Sequence, residues 1–66
     1  MKIIDDGSLP RDVVFTVDAP LDGETLVCFN PGYNQKEYRR EIKTAVKACE
    51  KMVGLGLAAF MELNLR

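Results

Sequence analysis

Tyr38, Ile42, Ala45, Val46, Cys49, Met52 and Val53 recur at the three- and four-residue intervals of one helical face. This stripe predicts a helix over Gln35 to Val53. A helix that is apolar along one side must lay that side on another element. Asn34, with Glu37 three residues later, forms a variant of the reciprocal N-terminal capping box. Gly54 follows the last turn, where a left-handed residue satisfies terminal carbonyls.

The surface for that stripe comes from segments of a different period. Asp12 to Val17 alternates, placing Val13, Phe15 and Val17 on one face and Asp12, Val14 and Thr16 on the other. Pro10 falls just outside, as its missing donor requires. Glu24 to Phe29 forms a second strand that is apolar on both sides, Leu26 and Cys28 pointing one way and Thr25, Val27 and Phe29 the other. That composition predicts near-complete burial or a partner sheet. Between the two, Pro20 fixes φ and Asp22-Gly23 tolerates a positive φ, so the strands are expected to close as an antiparallel hairpin. Met1 to Asp5 offers a further short strand, and Asn30-Pro31-Gly32 stops the sheet.

After Gly54-Leu55-Gly56 the period returns to two. In Leu57 to Arg66, Ala59, Met61, Leu63 and Leu65 face one way and Phe60, Glu62, Asn64 and Arg66 the other. A competing reading extends the helix through Met61, but each of the two glycines weakens it by about 1 kcal/mol relative to alanine, and the strand is preferred. The expected fold class is α/β of the α+β type. It is a small two-layer fold in which an antiparallel hairpin is followed by one amphipathic helix and a C-terminal strand, all within one domain spanning residues 1–66.

The 66 residues, 47% of them apolar, suffice for one core. At this size apolar burial and the entropy of ordering nearly cancel, so the monomer is expected to be marginal and self-association follows naturally. No uncharged stretch approaches the roughly 20 residues needed to cross a bilayer. Asp5 and Asp6 interrupt what would have to be the apolar part of a secretory leader. A cytoplasmic chain without membrane association is therefore expected. Cys28 and Cys49 have no CxxC neighbour and the sequence has no histidine, so they read as small buried hydrophobes in a reducing compartment. One disulfide between them stays open as an alternative, should the Cys28 strand lie beneath the helix.

Charge is segregated along the chain. From Met1 to Asn34, two basic residues stand against six acidic ones; from Gln35 to Val53, six basic stand against three acidic; the total is −1. Projected at 100° per residue, Lys36, Arg39, Arg40, Lys43, Lys47 and Lys51 fall within about 60° of one line, nearly opposite the apolar stripe. They are expected to form an outward ridge. Like charges meet at i,i+4 in Lys36–Arg40, Arg39–Lys43, Lys43–Lys47 and Lys47–Lys51, so the ridge is not optimised for internal ion pairs. It suits an acidic protein surface, the acidic turns of a second copy, or nucleic-acid phosphates, and equally an ordinary solvated face whose lysine stems cover apolar edges. Tyr33 and Tyr38 are the rings nearest the ridge; Tyr38 belongs to the apolar stripe. Phe60, facing away from the core, fits a dimer seam or a second apolar layer.

Chemistry finds little support. Asp5 and Asp6 point to opposite sides if extended, so they do not form an acid/base pair. Asp18 to Glu24 imitates a calcium loop, but its third position is Pro20 and its twelfth is Phe29. Ser8, Cys28 and Cys49 have no histidine to act as base. Gly54-Leu55-Gly56 is too short for a phosphate loop and follows a helix rather than a strand. We therefore expect a noncatalytic regulatory or assembly module with no metal and no cofactor. It would recognise a protein partner, with a homodimer or another protein as the occupant, through Lys36, Arg39, Arg40, Lys43, Lys47, Lys51 and Phe60. The alternative is a nonspecific nucleic-acid binder using the same basic ridge.

Overall fold

A computed structural model describes residues 1–33 and 35–65. Its elements are β1 (Lys2–Ile4), β2 (Val13–Ala19), β3 (Leu26–Phe29), α1 (Arg39–Gly54) and β4 (Ala59–Asn64). The strands form one sheet in the order β1-β3-β2-β4. β2 is antiparallel to both β3 and β4, and β1 runs parallel to β3. The architecture is therefore the expected α+β type, a four-stranded mixed sheet with one helix, and the β2–β3 hairpin is present.

Strand order explains the burial. β2 lies inside the sheet and α1 packs on β2 and β4. Its apolar run is buried from Val13 to Val17, with Thr16 among these residues. Register sorts the side chains into rows. Ile3, Val27, Val17 and Met61 form one row on the helix side, and Phe29, Phe15 and Leu63 the next. The Phe15 and Phe29 rings stack 6.0 Å apart. Ala45 and Cys49 of α1 complete this core. On the other face, Lys2, Leu26, Asp18 and Phe60 form a row beside Ile4, Cys28, Thr16 and Glu62. No helix or strand among the described residues covers that face, so Leu26 and Cys28 are half-buried and neither the near-complete burial nor the partner sheet expected of this strand is found there.

Val13 does not share the face of Phe15 and Val17. Val13 pairs with Asn64 while Phe15 pairs with Leu63, so two steps on β2 match one on β4. This bulge reverses the alternation and brings Val14, rather than Val13, into the core cluster. The hairpin turn also differs in its cause. Gly23 has no positive φ; a Cβ there would come within 2.6 Å of the Pro20 ring, and its N–H bonds to the Pro20 carbonyl at 3.3 Å. Close approach, not a left-handed backbone, demands glycine here.

The helix starts at Arg39 rather than Gln35, and residues 35–38 form a turn. Arg39 and Arg40 bring positive charge to the end where the helix dipole is itself positive, with Glu41 the acidic residue of that turn. Tyr38 occupies the cap position without a side-chain capping bond. The capping box expected at Asn34 lies outside the described residues. At the other end Gly54 is the last helical residue, and Gly56, at φ 82°, takes the left-handed role. The Leu57 N–H reaches the Met52 carbonyl at 3.1 Å and the Gly56 N–H that of Val53 at 2.9 Å, the bond pair of a Schellman stop.

Candidate protein-docking edge and basic ridge

β4 is an edge strand, and the side chains expected to face the core divide along it. Ala59 and Leu63 pack against the core, whereas Met61 is 41% exposed and Leu65, beyond the strand, is exposed as well. Leu65 instead extends the ladder, its N–H bonding to the Asp12 carbonyl at 2.8 Å. Met61 points to the helix side but α1 leaves room beside it. Two depressions open there. One, of about 310 Å³, is lined by Phe15, Thr44, Ala45, Met61 and Leu63 with Arg40, Glu41 and Glu62 at its rim. The other, of about 330 Å³, is lined by Ala48, Cys49, Met52, Ala58, Ala59, Phe60 and Met61. Met61 belongs to both, so they form one trough between α1 and β4.

Phe60 is 62% exposed on the helix-free face, as its alternation with Ala59 and Met61 implies. Met52 also stands exposed, although it sits on the helical stripe, because its place is above the edge of the sheet. The Thr44 hydroxyl donates to the Arg40 carbonyl at 3.0 Å and so is already engaged within the helix. The trough thus offers no free hydroxyl, and its polar side chains are Arg40, Glu41 and Glu62 at the rim. Sequence reading missed Met52 and Met61 because an edge position follows from strand order, which no local period encodes.

All six cations of the expected ridge are exposed, but only Arg39, Arg40, Lys43, Lys47 and Lys51 lie on α1; Lys36 belongs to the preceding turn. Among the described residues those five helical cations form no ion pair within 4.0 Å, and the N-terminal ammonium meets Glu24 at 3.2 Å. A further depression, about 620 Å³ between Lys36, Arg39, Arg40, Lys43, Lys47 and the carboxylates Glu37 and Glu41, is space among solvated side chains on the outer helix. Lys43 and Lys47 also border the side of α1 nearer Met1, away from β4. Tyr33 and Tyr38 meet edge to face at 6.1 Å, both half-buried against the core. The Tyr33 hydroxyl donates to the Arg11 carbonyl at 3.4 Å. Neither ring is a free stacking platform.

Both thiols are unpaired. Cys49 lies in the core under α1, whereas Cys28 shares the row of Ile4 and Thr16 on the opposite face, so the disulfide alternative fails on direction. Burial, and after it the Asp18 carboxylate, push the Cys49 thiol up. The Ser8 side chain and N–H hold the Asp6 carboxyl below its ordinary value, the N–H at 3.0 Å from Oδ1. No group of three or more His, Cys, Asp or Glu side chains converges among the described residues. No helix among them is long and apolar enough to cross a membrane. Comparison of the chain with models of known families, with curated proteins and with solved structures finds no match.

Proposed function

We propose that the protein is a noncatalytic assembly or regulatory module that binds a protein partner and associates with itself. The observation that carries this reading is the apolar trough along β4, continued around the strand by Phe60. An exposed apolar strip beside an open edge strand is a recognised liability unless another chain covers it. The small size of the chain adds to the argument, since association supplies burial that 66 residues provide only sparingly.

Light scattering over a concentration series tests it. The expected result is a mass that rises from monomer towards dimer, and a shift back to monomer in Phe60→Asp with the circular dichroism spectrum retained. A constant monomeric mass would remove the self-association. Unchanged assembly in a folded Phe60→Asp variant would remove Phe60 from the seam.

The outer position of Lys43 and Lys47 keeps one second reading in view, a nonspecific nucleic-acid binder. It requires binding to generic DNA or RNA that weakens between about 50 and 200 mM salt and is lost on charge reversal at both lysines. A dimer indifferent to those reversals, together with no nucleic-acid retention, favours the assembly module.

A further inference from the structure

We propose that the occupant of the β4 edge is a second copy of the chain, paired antiparallel through β4 about a two-fold axis at Met61. The proposal rests on the reading of the protein as a self-associating module and adds the surface and register.

The two sheet edges are unequal. β1 has three residues and includes Lys2, which are protective features. β4 has six residues without proline, and Glu62 is its single charge. Because the Leu65 N–H turns inward to Asp12, strand alternation turns Phe60, Glu62 and Asn64 outward. Their N–H and C=O groups are free to form a ladder with another strand.

Antiparallel pairing about a two-fold axis requires partners of the same face. Centred on Met61, it sets Ala59 opposite Leu63 of the second copy, Phe60 opposite Glu62, and Met61 opposite itself. Centred on Glu62, it sets two carboxylates against each other, which is unfavourable. These two registers overlap β4 most fully, and between them charge selects the one at Met61. In it the outward residues Phe60 and Glu62 exchange backbone hydrogen bonds, and the Met61 pair falls at a narrow, non-hydrogen-bonded position.

The helices fit the same arrangement. α1 packs over β2 and β4, about one strand spacing from the proposed axis, so the two helix axes would lie roughly 10 Å apart, within packing distance. The flank of α1 above β4 presents Thr44 and Ala48 at its middle, small enough for that approach, with Arg40 and Glu41 towards one end and Met52 towards the other. Of the ridge, Lys43 and Lys47 line the opposite side of α1, while Arg40 borders the trough beside the carboxylates Glu41 and Glu62, which offset its charge near the proposed axis.

Hydrogen exchange and cross-linking on the full chain test this. At concentrations where the protein is dimeric, the amides of Phe60 and Glu62 should be protected, and dilution to monomer should release them. Met61→Cys should oxidise to a covalent dimer linked through position 61, while Lys2→Cys on the other edge should not. Glu62→Pro, which removes an outward donor, should yield a folded monomer; Met61→Lys serves the same purpose should the proline variant unfold. A dimer with unprotected Phe60 and Glu62 amides, and no preference for cross-linking at position 61, would overturn the β4 pairing while leaving self-association intact. A monomer at every concentration would overturn both.

Discussion

Two glycines show how differently one residue type serves this chain. Gly23 is required by the Pro20 ring, which a Cβ would meet at 2.6 Å, whereas a Cβ at Gly54 meets nothing within 4 Å. Gly23→Ala is expected to destabilise the protein by about 1 kcal/mol, and Gly54→Ala to stabilise it by about 0.5–1 kcal/mol through a better helical residue. Thermal unfolding of the pair checks both signs. Cys49 offers a titration at the same scale. Its thiol is raised from an ordinary value of 9.0, first by burial and then by Asp18. The folded state therefore holds the proton where the unfolded state releases it, and this contribution is present in full below about pH 9 and lost as pH rises through the raised value. Denaturant midpoints should fall above that pH, with a shallower fall in Cys49→Ala. An identical slope in both proteins would assign the alkaline loss to other groups.

The helix ends illustrate what local signals decide. The C-terminal stop uses glycine, as the Gly-Leu-Gly run suggested, but the left-handed residue is Gly56, two positions beyond the expected one. At the other end the periodic stripe begins earlier than the helix, since Tyr38 packs against Tyr33 and the core before the first helical residue. Arg39 and Arg40 then face the positive end of the dipole. Arg39→Glu should reverse that interaction and replace the like-charged i,i+4 contact with Lys43 by a favourable one. A gain of about 0.5–1 kcal/mol in the melting of α1 is expected. No gain would mean that the aliphatic stem of Arg39, which borders Ile3 and Ile42, matters more than its charge.

At the scale of the molecule, one helix covers one face and the β4 edge lies open. The proposed dimerisation, linked to folding, predicts a melting temperature that rises with protein concentration, and a tenfold dilution should lower it measurably. A concentration-independent melting temperature would mean that the fold stands without a partner. The local record was sufficient for the hairpin, for the helix that follows it and for the final strand, because alternation, turn residues and the 3.6-residue stripe each act over a few neighbouring positions. It also located the exposed ring of Phe60 and the outward cations. It did not reveal the bulge that turns Val13, the face that separates Cys28 from Cys49, or the exposure of Met61. Those depend on which strands become neighbours and which strand is left at the edge. The β1-β3-β2-β4 order joins residues far apart in the chain, so only tertiary pairing turned one more alternating strand into an open edge.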